Sequence, residues 1–168
     1  MAPELAEAPL LERVRPNASS TATITATAPI VPVRNVGSSI TFYQRVLGFD
    51  VLSRNTDQSA AVVARGPLRL MLLRVGQKQA LQATREHLSL YVWVDDLASL
   101  WEEFREGLSL LPAWRVRKPF RQPYGALEFH VKDPDGFLLF FAADPEARRA
   151  SDGFVEHDAR DGAARRPN

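Results

Sequence analysis

The chain has 168 residues, 45% of them hydrophobic and 24% charged, with a net charge of +1 and no cysteine. That length and apolar content suffice for a buried core. The near-neutral balance gives no global attraction to nucleic acid or anionic membranes, and the missing cysteines exclude disulfides, thiolate catalysis and the strongest zinc ligands.

In chain order, residues 1–22 are rich in Ala, Pro and Glu without periodicity and read as a flexible N-terminal extension. They carry no continuous apolar run, and no segment of the chain approaches the about 20 apolar residues that cross a bilayer, so a cytoplasmic protein is expected. A β-rich run, Thr25–Arg34, precedes Asn35, a helix N-cap for Val36–Leu47. Val36, Ile40, Tyr43 and Leu47 share one face of that helix, and Gly48 stops it. Val51–Arg54, Ala60–Arg65 and Leu68–Val75 follow as strands, with a turn at Arg65-Gly66-Pro67.

Residues 76–86 read as a polar linker. The grammar then repeats. Leu88–Val94 is a strand, Asp95 or Asp96 caps a helix, and Leu97, Leu100, Trp101, Phe104 and Leu108 form its apolar stripe. Strands are predicted at Trp114–Lys118, Ala126–Lys132 and Phe137–Ala142, the last two joined by Asp133-Pro134-Asp135-Gly136. Residues 144–168, charged and poor in large apolar side chains, read as a C-terminal tail. The fold class is therefore α+β: two tandem βαβββ modules, residues 23–75 and 87–143.

Three segments, PIVPVRNVGSSITFYQRVLGFDV, LYVWVDDLASLWEEF and PYGALEFHVKDPDGFLLFF, carry a family likeness over residues 29–142. The chain resembles the vicinal oxygen chelate superfamily of glyoxalases, extradiol dioxygenases, fosfomycin-modifying enzymes and bleomycin-resistance proteins. The resemblance implies modules that curl into partial barrels around a cleft, with a divalent metal in some branches. The positions that would hold that metal fall here on Ala28, Ser89 and Phe140, and Leu68–Val75 contains no Asp, Glu or His. Such side chains do not replace a His and Glu donor set, so no metal and no cofactor are expected. A substitute site from His87, His130 and Glu128 needs a register the family does not use. Glu128 stands where metal-free relatives also carry glutamate, which implies a structural role beside the preceding loop.

Strand alternation places Leu90, Val92 and Val94 against the second helix, so Ser89, Tyr91 and Trp93 face the cleft. Ile30, Pro32 and Arg34 face it from the first strand, Leu138 and Phe140 from the last, with Trp114 or Val116 added and the loop Phe120–Tyr124 overhanging the mouth. Arg34 or Arg69 can pair with an anionic or carbonyl group. The candidate ligand-binding set is Pro32, Arg34, Arg69, Ser89, Tyr91, Trp93, Trp114, Tyr124 and Phe140. An alternative reading makes Tyr91 and Trp93 core or interface residues.

Three functions compete. The first is a metal-free binder that sequesters a bulky, partly planar antibiotic or natural product. The second is a metal-independent enzyme of lyase or isomerase type, with His130, Glu128, Tyr91 or His87 as acid or base. The third is an interaction module whose cleft is filled by its own side chains. The resemblance also implies a homodimer in which modules pair between chains; neither nucleic acid nor membrane is expected as a partner.

Overall fold

The computed structural model describes residues 25–145. The extension at 1–22 lies outside them, as does the tail beyond Pro145. The first module runs β1 (Ile30–Val33), α1 (Val36–Leu47), β2 (Asp50–Arg54), β3 (Ala60–Arg65) and β4 (Leu68–Arg74). Helix α2 (Lys78–His87) leads to the second module, β5 (Ser89–Val94), α3 (Leu97–Ser109), β6 (Val116–Arg121), β7 (Leu127–Lys132) and β8 (Leu138–Ala143).

Each module makes one four-stranded sheet, in the orders β1-β4-β3-β2 and β5-β8-β7-β6. The opening strand pairs in parallel with the closing strand of its module, Ile30 opposite Met71 and Tyr91 opposite Phe140, and the other pairings are antiparallel. The repetition extends to detail. Asn35 Oδ1 accepts from the Ser38 amide at 2.9 Å, and Asp96 Oδ1 accepts from the Ser99 amide at 3.0 Å, the same N-cap contact at the same point of each copy. Gly48 sits at φ 63°, the left-handed conformation that ends α1.

One face of each sheet is sealed by the helices. Val31, Val33, Leu70, Leu72 and Val63 of the first sheet share a buried cluster with Phe129, Val131, Leu139 and Phe141 of the second. Phe104 of α3 meets Phe141 edge-on at 5.7 Å, and Phe129 stacks on Phe141 at 5.0 Å. The helices α1 and α3 pack against each other at Gly107, where a Cβ would come 2.9 Å from the Val46 Cα. Two further contacts join the modules. Arg65 bridges to Glu103 at 2.7 Å, and Arg34 Nε donates to Asp135 Oδ1 at 2.5 Å while its backbone amide donates to Asp135 Oδ2 at 2.9 Å.

Three expectations are corrected. Most of the polar linker is a helix: the ten-residue α2 starts at Lys78, runs through to His87, the residue expected to open the second module, and buries Leu81 and Thr84. Trp114 does not open a strand; it lies in a 3₁₀ turn, Ala113–Arg115, and β6 starts at Val116. The β-rich opening is shorter than Thr25–Arg34, with only Ile30–Val33 in the sheet. Among the described residues no helix is long and apolar enough to cross a membrane.

Candidate functional site

The faces turned away from the helices hold the candidate site. Alternation in β5 directs Leu90, Val92 and Val94 to the core cluster, which leaves Ser89, Tyr91 and Trp93 on the opposite face. On β8 the same parity sends Leu139 and Phe141 inward and Phe140 outward. Register then brings His130 opposite Phe140 and Phe140 opposite Tyr91, a row of rings across three strands. Tyr91 stacks on Phe140 at 5.7 Å and meets Trp93 at 5.1 Å, while His130 meets Phe140 edge-on at 4.3 Å and Phe120 at 5.0 Å. Trp93 is 61% exposed, so the platform ends in an open indole face.

Beneath the platform sits Glu128, fully buried. Tyr91 Oη donates to its Oε2 at 2.8 Å and Tyr124 Oη to the same oxygen at 3.3 Å. His130 Nε2 donates to Oε1 at 2.7 Å, and Gln122 Nε2 donates to that oxygen as well. A carboxylate has about four acceptor sites, so these donors saturate it. Burial alone would raise the Glu128 pKa, but the bonds from Gln122, His130 and Tyr91 outweigh burial and hold it below its ordinary value. Burial, followed by the bond and charge of Glu128, raises the Tyr91 phenol and keeps it a donor. The carboxylate thus fixes the ring of Tyr91, the tautomer of His130 and the loop carrying Gln122 and Tyr124.

The remaining candidates are scattered around this centre. Pro32 pairs with Leu73 on the equivalent face of the first sheet, and Arg69, opposite Ala64, shares that face and is exposed. Ile30 at 55% and Leu73 at 39% exposure make this second face apolar. Arg34 is bonded to Asp135 at the junction of the modules. Trp114, 69% exposed, lines a hollow at that junction together with Arg34, away from Tyr91. Val116, the alternative to Trp114, packs against the core cluster. The stretch Phe120–Tyr124, expected as a loop over the mouth, begins in β6 with Phe120 and Arg121; the contacts of Phe120 with His130 and of Gln122 with Glu128 were not foreseen.

The substitute metal site does not assemble. His87 ends α2 instead of sharing the β5 face with Ser89, and its ion-pair contact is Glu86 at 3.9 Å. Among the described residues no three His, Cys, Asp or Glu side chains converge as a metal site would require. At the family-type ligand positions, Ala28 precedes β1, Ser89 opens β5, and Phe140 is part of the ring row. A methyl, a hydroxyl and a phenyl group do not fit a divalent ion.

A family model described as Glyoxalase/Bleomycin resistance protein/Dioxygenase superfamily matches residues 23–141. The chain belongs to this superfamily. A bleomycin-binding protein solved in complex with bleomycin superposes with a TM-score of 0.60 at 26% identity, covering 72% of this chain and 99% of that one. A bleomycin resistance determinant encoded on the transposon Tn5 gives 0.60 at 25% identity, covering 73% and 99%. Lactoylglutathione lyase from Agrobacterium tumefaciens shares the fold at 17% identity, with a TM-score of 0.51 over 74% and 95% of the two chains. A search of curated proteins finds no match. The superfamily fold therefore serves both binders and enzymes among these neighbours, and the side chains on the open faces carry the distinction.

Proposed function

We propose that this superfamily member sequesters a bulky, partly planar antibiotic or natural product on the aromatic platform, without metal and without converting it. The observation that carries this reading is the ring row Tyr91–Phe140–His130 ending in exposed Trp93, anchored from below by a carboxylate with no free acceptor site. Flat conjugated ligands gain about 0.5–1.5 kcal/mol per aromatic pair beyond area burial. Likeness to bleomycin-binding proteins at 25–26% identity supports the same reading. The site is completed by a second copy of the chain: the apolar face bearing Ile30 and Leu73 covers the platform of its partner, giving a homodimer with two equivalent clefts. The protein acts in the cytoplasm.

Titration of the purified protein with bleomycin and with a panel of glycopeptide, enediyne, quinone and thiopeptide compounds tests this. Saturable quenching of tryptophan emission, lost in Trp93→Ala, with the compound recovered unchanged by mass spectrometry, is the expected result. Failure of the whole panel to change the emission would overturn it.

One observation favours a second reading, a metal-independent enzyme of lyase or isomerase type. Glu128 fixes Nε2 of His130, which leaves Nδ1 available as a general base beside the platform. Conversion of a bound compound that disappears in His130→Ala while binding persists would favour it.

A further inference from the structure

At the junction of the modules, α2 and the turn between β7 and β8 bring cations together. A cavity of about 460 Å³ is bounded by Arg34, Lys78, Gln82 and Arg85, and a neighbouring one of about 410 Å³ by Arg34, Arg85, Trp114, Lys132 and Asp135. Arg34 and Arg85 belong to both, so the hollows meet at that pair. The linings of the two hollows carry four cations and one carboxylate, that of Asp135, which Arg34 already occupies. In a chain with a net charge of +1, this is a pronounced local excess.

The arrangement is built rather than incidental. Arg85 Nε donates to the Asp135 carbonyl, which fixes the plane of its guanidinium. Its stem crosses Gly136, where a Cβ would meet Arg85 Cγ at 3.0 Å and Cδ at 3.1 Å; the glycine, at φ 89°, makes both the turn and the room. Neither Arg85 nor Lys132 has a carboxylate partner for its side chain among the described residues, so the terminal Arg85 nitrogens and the Lys132 ammonium remain to be neutralised. Beside them lies the exposed indole of Trp114.

We propose that this seam binds a small oxyanion carried on a planar ring, the anion held by Arg85 and Lys132 and the ring stacked on Trp114. A guanidinium with one nitrogen pinned to backbone presents its remaining donors in a fixed fork, the geometry that suits a phosphate or carboxylate. None of the ring-row residues lines these hollows, although Lys132 shares its β7 face with His130, two residues back, and the proposal does not depend on antibiotic binding.

Calorimetric titration of the full chain with phenyl phosphate, benzoate and benzyl alcohol tests the assignment and separates the two anion types. Saturable binding of at least one anion, no binding of the neutral alcohol, and weaker affinity at higher salt are expected. Arg85→Gln and Lys132→Gln should each weaken the anion about tenfold, whereas Arg54→Gln, a surface cation elsewhere, should leave it unchanged. Lys132→Gln guards against misfolding of the Arg85 variant, because the Lys132 side chain holds no described contact. Absence of saturable heat from both anions, or equal affinities in wild type and both variants, would overturn the proposal.

Discussion

Glu128 shows how a single buried carboxylate can organise an aromatic face. Replacing it with alanine strands the hydroxyls of Tyr91 and Tyr124, the Gln122 amide and the His130 N–H around a vacated buried position. Glu128→Ala should cost about 2–4 kcal/mol of stability, read as a drop in unfolding midpoint, and should weaken ligand binding even though Glu128 itself is covered. Asp133 gives a pH-dependent outcome. Burial, aided by the charge of Asp135, raises its pKa to about 6 from 3.8. Between those values the folded chain holds a proton that the unfolded chain has released, so stability falls as pH rises through this window, by about 3 kcal/mol. Asp133→Asn keeps an oxygen for the Asp135 and Phe137 amides, each bonded at 2.8 Å. Denaturant unfolding at pH 4 and pH 7 should therefore show wild type gaining on this variant as pH falls. The ring row was legible because strand parity alone separates Tyr91, Trp93 and Phe140 from Leu90, Val92 and Phe141. The bonds that Gln122 and Tyr124 make to Glu128 were not, since loop side chains follow no period.

Among the elements, helices α1 and α3 were readable from their caps and apolar stripes, and both appear with the expected N-cap contacts. Helix α2 was hidden for a physical reason. It buries only Leu81 and Thr84, its N-terminal Gln77 makes no side-chain cap, and its remaining positions are polar or small, so the stripe that marks a helix is nearly absent. Trp114 was misplaced because an aromatic before a β-rich run reads as strand, whereas Pro112 and the bond from the Arg115 amide to its carbonyl set a 3₁₀ turn. The contact of α1 with α3 yields a sharp expectation. Gly107→Ala would gain up to about 1 kcal/mol of helix propensity, but its Cβ would strike the Val46 backbone, which cannot swing aside as a side chain does. The net effect should be destabilising by about 1–3 kcal/mol, measurable by chemical denaturation.

For the whole molecule, two sheets present outward faces of different kinds, one with Ile30 and Leu73, the other with Trp93 and Tyr124. If these faces cover each other between copies, the wild type should sediment as a dimer. Leu73→Glu should then sediment as a monomer with an unchanged circular dichroism spectrum and should lose antibiotic binding, although Leu73 lies on the other sheet from the platform. A monomeric wild type would sink the dimeric cleft. The tandem architecture follows from the repeated pattern, whereas the strand order within each module comes from the structure. A pairing of modules between chains would leave no signature in a single chain, because a solvent-facing leucine on a strand looks the same whether a partner covers it or not.

The parallel closure of each module also sets a constraint on synthesis. Within the described residues β5 has a strand neighbour on one side only, and that neighbour is β8, the final strand of the module. A nascent chain that has emerged only as far as β7 therefore has a first strand with nothing to pair with and an aromatic face without its central ring, Phe140. The same holds for β1 until β4 appears. Each half of the molecule thus completes its sheet in one late step, and the ring row exists only once the last strand has left the ribosome.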